Sequence, residues 1–125
     1  LSAGALRNLA FAGAAGEAAI VEAGGIAPLV GLLDADDLDA QENSVCALLN
    51  LSFGDDTRAA IADAGALQPL ARLLGSEREF VQESAAALLQ SLALLPGNRP
   101  RIADAGALRP LVALLGSPSL VAQAA

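Results

Sequence analysis

Asn8, Asn50 and Ser91 recur at intervals of 42 and 41 residues, each near the end of an amphipathic stretch. An asparagine amide carries two N–H donors and a carbonyl acceptor. One such side chain can therefore satisfy both the C=O and the N–H of a peptide backbone without reading the side chains beside them. Ser91 offers a shorter donor and acceptor at the same register. At about 3.6 residues per turn, Asn43 and Cys46 share a helical stripe with Asn50, Ser84 and Ala87 share one with Ser91, and Leu1 and Gly4 share one with Asn8. Asn8, Asn43, Cys46, Asn50, Ser84, Ala87 and Ser91 are the candidate surface residues of these stripes, and Asn50 can equally cap or hydrogen-bond near its own helix end.

Other chemistry is poorly served by this residue inventory. With no histidine and a single cysteine, the usual zinc, haem, Cys-His and Ser-His sites cannot be assembled within the chain. The absence of lysine removes a Walker lysine, a Schiff base and a Ser-Lys pair. No acid–base or nucleophile pair can be named, so the expectation is a protein that is not an enzyme and needs no cofactor or metal. Asp34, Asp36, Asp37 and Asp39 lie close together as in calcium loops, but the glycine and bidentate glutamate at the required offsets are missing. Helix capping and solvation account for them more simply. Cys46 reads as a small packing residue. Glu42 and Glu83, one period apart, read as a solvated face that could also meet arginine on a partner.

The elements that must carry the stripes follow from the same period. Gln41–Ser52 reads as one long amphipathic helix, and Gln82–Ala93 repeats it 41 residues later. Pro28, Pro69 and Pro110 keep that interval, as do Ile20, Ile61 and Ile102. Each proline falls in the first turn of a helix, where a missing N–H costs little. Ile26–Leu33 is expected to be such a helix, preceded by a bend at Gly24 and Gly25. Asp36 or Asp37 can cap the long helix that follows and runs to about Phe53. Thr57 is the expected cap of a short helix Arg58–Ala64, and Ser76–Glu79 has the spacing of a capping box. Ser117-Pro118 is expected to begin another long helix. The resulting units are a partial repeat 1–15, repeats 16–54 and 55–95, and a partial repeat 96–125.

A helix set that recurs at this period marks a stacked solenoid, in which each unit buries its apolar face against its neighbours. Composition agrees. Hydrophobic residues make up 54% of the 125 residues but aromatics only 2%, so the core must be built from alanine and leucine at close helix separations, which favours helix over strand. The net charge of −7, with arginine as every one of the 7 basic residues, leaves no basic stripe for a phosphate backbone, so nucleic acid is not expected as a partner. No apolar run is long enough for a bilayer span and no leader pattern opens the chain, so no membrane insertion is expected. A single thiol fits a reducing compartment, hence a cytoplasmic or nuclear location.

A short helix, a glycine bend and two longer antiparallel helices in about 41 residues resemble the armadillo repeat. The resemblance covers the whole chain. It is most specific in Ala64-Gly65-Ala66-Leu67-Gln68-Pro69-Leu70 with Leu73-Leu74, in Ala105-Gly106-Ala107-Leu108-Arg109-Pro110-Leu111, and in Ala47-Leu48-Leu49-Asn50-Leu51. Within the family, Gln41–Asn43 with Ala47–Ser52 is most similar to plant and algal proteins that join these repeats to a U-box, and close to vacuolar and axonemal armadillo proteins. The resemblance implies an all-α fold, a right-handed α-solenoid of three-helix armadillo repeats, here a fragment of a longer array. It also implies a concave groove lined by third helices, in which Asn8 and Asn50 would hydrogen-bond an extended peptide. Nuclear import adaptors of the family carry tryptophan four residues before that asparagine. Gly4, Cys46 and Ala87 stand there in this chain, which weakens a basic-peptide reading, and Ser91 interrupts the asparagine ladder. The expected function is a non-catalytic protein–protein interaction scaffold for an extended peptide or partner helix, with substrate recognition in a U-box-type ubiquitin ligase as the alternative. Flanking repeats or self-association would cover the open ends.

Overall fold

The computed structural model describes residue 21 and residues 24–115, with side chains to residue 112. Among these, regular structure is helical throughout: α1 Ile26–Leu32, α2 Leu38–Leu51, α3 Asp55–Asp63, α4 Leu67–Leu73, α5 Glu79–Leu92, a 3-10 turn Pro96–Asn98, α6 Arg99–Asp104 and α7 Leu108–Leu115. The unit α3–α5 is complete, with α1–α2 before it and α6–α7 after it. The order within a unit is short, short, long: α3 has 9 residues, α4 has 7 and α5 has 14. The second helix is thus not one of two longer ones, because the Gly65 bend delays its start and the turn at Leu74 and Gly75 stops it after Leu73.

The markers spaced by 41 residues have backbone causes. Gly24, Gly65 and Gly106 adopt φ of 70°, 88° and 81°, the left-handed region in which a Cβ clashes with its own backbone. That bend turns each short helix into the next one. Pro28, Pro69 and Pro110 occupy the third residue of α1, α4 and α7, within the first turn, whose N–H groups have no intrahelical acceptor.

Three cap expectations meet different outcomes. Asp37 caps α2 by accepting from the Asp39 N–H at 2.9 Å. The short helix α3 begins at Asp55 rather than Arg58, because Asp55 and Asp56 place two carboxylates in its first turn, where they favour the helix dipole. Thr57 therefore lies inside α3, and its hydroxyl donates to the Gly54 carbonyl at 2.9 Å. Ser76–Glu79 is not a capping box. The Ser76 hydroxyl accepts from the Arg78 N–H at 3.2 Å, forming a turn that ends before α5 begins. The Ser117-Pro118 helix lies outside the described residues.

The core is a continuous aliphatic layer. Leu29, Val45, Leu48, Ile61, Leu70, Val81, Leu88 and Leu92 have no exposed surface, and Ile102 continues the isoleucine register at 5%. On α2, Val45, Leu48 and Leu51 point into this layer, while α5 packs along α2 and α3. Burying each such side chain contributes about 1.5–3 kcal/mol, and with few aromatics present that contribution depends on helices approaching closely.

Polar ties repeat with the helices. The Gln41 and Gln82 amides each donate to the carbonyl six residues earlier, of Ala35 and Ser76. The Nε of Arg58 and of Arg99 each donates to the carbonyl of Ser52 and of Ala93, both at 2.9 Å. These side chains hold the loops on either side of each long helix and so set the helix's position in the stack.

Candidate peptide-binding stripe

The stripe residues of α2 and α5 occupy neighbouring helices that pack side by side. Cys46 and Ser84 are buried, at 6% and 7% exposure, whereas Asn43, Asn50, Ala87 and Ser91 are half-buried. The stripe is therefore a shallow surface of small and polar side chains, with its floor at Cys46 and Ser84. Asn8 lies outside the described residues.

Asn50 is held in place by its own helix. Its Nδ2 donates to the Cys46 carbonyl one turn back at 3.0 Å. A primary amide has two N–H groups and a carbonyl, so this bond orients the amide and leaves one donor and one acceptor for a second partner. Ser91 is committed differently: its hydroxyl donates to the Ser52 carbonyl of the preceding unit at 2.8 Å. A hydroxyl has a single proton, so the bond leaves the Ser91 oxygen as an acceptor only.

The acidic residues near the stripe are engaged as well. Asp34 pairs with Arg72 at 2.8 Å and Asp39 with Arg78 at 2.9 Å, while Glu42 lies 3.9 Å from the same arginine. With Asp37 serving as a cap, three of the four clustered aspartates act as helix or junction partners. No helix among the described residues is long and apolar enough to cross a membrane.

Reading the sequence alone missed the residues that build the junction beneath the stripe: Ser52, Arg58 and Asn98. Asn98 is 1% exposed and its amide donates to the carbonyls of Leu92, at 3.0 Å, and Arg58, at 3.3 Å. A signal was available in the 41-residue spacing of Arg58 and Arg99, which matches that of the prolines.

A stack of three-helix units with long helices side by side defines an α-solenoid, and comparison with known proteins assigns its class. The Armadillo/beta-catenin-like repeat profile matches residues 15–53 and 54–94, and the chain belongs to that family. It is a right-handed α-solenoid of three-helix armadillo repeats. Among solved structures, it is similar to a computationally designed armadillo repeat protein for modular peptide recognition (TM-score 0.86, 32% identity, covering 92% of this chain and 49% of that one). It is also similar to an engineered protein, structural genomics target OR329 (TM-score 0.83, 39% identity, 93% and 48%). A third is the designed armadillo repeat protein YIII(Dq.V1)4CPAF, solved in complex with the peptide (KR)4 (TM-score 0.78, 29% identity, 93% and 50%). The chain thus spans about half the length of these structures. No curated protein matches it.

Proposed function

We propose that this segment is a non-catalytic interaction scaffold that holds an extended peptide along the stripe running from Asn43, Cys46 and Asn50 to Ser84, Ala87 and Ser91. The observation that carries the reading is the Asn50 amide, half-buried and oriented by Cys46, with a donor and an acceptor still to be used. Two of the similar structures support it, one designed for modular peptide recognition and one holding a (KR)4 peptide. Packed helices lie about 8–10 Å apart and an extended chain rises about 3.3 Å per residue, so successive units would meet the ligand every two or three residues.

Asn50 supplies the paired donor and acceptor that a backbone amide requires. Ser91 supplies an acceptor, which suits a ligand N–H. Nothing in the geometry favours the ubiquitin-ligase reading over the plain scaffold. The test is a titration of labelled (KR)4 and of a neutral extended peptide of equal length against the wild-type chain and Asn50→Ala. Weaker binding of the variant to either peptide, with unchanged melting, supports the stripe. Equal binding by both proteins opposes it.

A further inference from the structure

Phe53 and Leu94 stand 41 residues apart, each the first residue beyond the C-cap of a long helix, Ser52 for α2 and Ala93 for α5. They are 69% and 60% exposed. Ser91 donates to the Ser52 carbonyl at 2.8 Å, so the ends of α2 and α5 lie against each other and the two residues are separated by one helix spacing, about 8–10 Å. The same column holds Phe11, 42 residues before Phe53 and outside the described residues, so two of the chain's 3 phenylalanines fall in one register. Apolar side chains scattered singly over a surface need no explanation, whereas a column that recurs with the units is a patterned surface.

This column borders the candidate stripe. Phe53 follows Asn50 by three residues and Leu94 follows Ser91 by three, about one helical turn further along. The stripe itself has polar groups left over. Asn50 keeps one donor and one acceptor beyond its bond to Cys46. Ser84 is 7% exposed, and its hydroxyl has no hydrogen bond among the described residues and is not sealed in the interior, so it opens onto the stripe. On the far side of the column, α3 begins with Asp55 and Asp56. Arg58 pairs with Asp55 at 3.0 Å, whereas Asp56 is exposed and has no cation among the described residues.

We infer that Phe53 and Leu94 form an apolar subsite beside the stripe, a specificity that rests on the stripe holding a peptide backbone as proposed above. The occupant is an extended peptide with apolar side chains at alternate positions and a basic residue next to them. Side chains two residues apart on an extended chain point the same way and lie about 6.6 Å apart, close enough to the step between units for one to meet Phe53 and the next Leu94. With the ligand backbone on Asn50 and Ser84, its apolar side chains lean toward the ends of α2 and α5 and cover two side chains that the core does not use. The basic residue faces Asp56, and an acidic one there would meet like charge.

Three labelled peptides of equal length, KLSLSK, KSSSSK and ELSLSE, are titrated by fluorescence anisotropy against the whole chain and against Phe53→Ser, Leu94→Ser and Asn50→Ala, with melting measured in parallel. KLSLSK is expected to bind about fivefold or more tightly than KSSSSK, as partial burial of two leucines allows. Phe53→Ser and Leu94→Ser should each reduce that advantage while leaving KSSSSK binding and melting unchanged. ELSLSE should bind about two- to fivefold more weakly than KLSLSK, a difference that Asp56→Asn reduces. Asn50→Ala should weaken KLSLSK and KSSSSK alike, since both present the same backbone. The subsite is overturned if the two lysine peptides bind equally, if Phe53→Ser leaves the preference intact, or if ELSLSE binds as tightly as KLSLSK; Asn50→Ala still weakening KSSSSK would then leave the stripe standing. Binding that depends on Phe53 but not on Asn50 overturns the stripe and this placement of the ligand with it. Self-association of the chain that Phe53→Ser abolishes puts a second copy on the column and overturns the peptide as its occupant.

Discussion

The hydroxyl of Ser91 on α5 donates to the main-chain carbonyl of Ser52 at the end of α2, 2.8 Å away and 39 residues earlier. The same carbonyl accepts from Arg58 Nε at 2.9 Å, so both of its lone pairs are used. The position expected to continue the asparagine ladder thus fastens one unit to the next.

Ser91→Ala should therefore lower stability by about 0.5–1.5 kcal/mol, the net value of one hydrogen bond, because Arg58 still satisfies the carbonyl. Urea unfolding monitored by circular dichroism checks this. Affinity for a short peptide that reaches only Asn50 should not change. Ser91→Asn would place a second amide on the stripe and should strengthen a long extended peptide relative to that short one.

Gly65→Ala tests the bend between α3 and α4. The added methyl meets no atom within 4 Å, so any loss comes from the backbone at φ 88° and should be about 1–2 kcal/mol. Gly31→Ala, inside α1 and equally open, should by contrast stabilise by up to about 1 kcal/mol through helix propensity. Opposite signs in thermal melts of the two variants are the expected outcome.

Leu48→Ala removes a side chain with no exposed surface at the α2–α5 contact and should cost about 2–5 kcal/mol. Phe53, larger but 69% exposed, should cost less than about 0.5 kcal/mol when changed to serine. Denaturant midpoints of the pair separate burial from side-chain size.

The arginine–aspartate pairs between units are exposed, with side-chain exposures of 61% and 53% for Arg72 and Asp34 and 43% and 69% for Arg101 and Asp63. Each should contribute about 0.2–1 kcal/mol. Arg72→Ala measured in low and high salt should show its cost shrinking as salt screens the pair.

Much of the architecture was legible because it rests on backbone demands that few residues meet. Positive φ requires glycine at 24, 65 and 106, and a helix's first turn tolerates proline at 28, 69 and 110, so both leave periodic marks. The junction was less legible. Arg58, Arg99, Gln41 and Gln82 look like solvated polar residues, and only the folded chain shows each reaching a carbonyl six residues back. Asn50 and Ser91 share a register in the sequence, but the stacking of α5 on α2 gives them different partners. Helix starts were misjudged at Thr57 and Ser76 because a hydroxyl that can cap can also serve a turn, and the aspartates ahead of Thr57 decided the first case.

The most direct test of the binding stripe is Asn50→Ala, measured for peptide affinity and for melting in parallel. If Asn50 supplies a paired backbone contact, affinity for an extended peptide should fall by about 1–3 kcal/mol while the melting temperature stays within a few degrees of wild type. An unchanged affinity would contradict the account, as would a variant that unfolds, since Asn50 would then serve its own helix rather than a ligand.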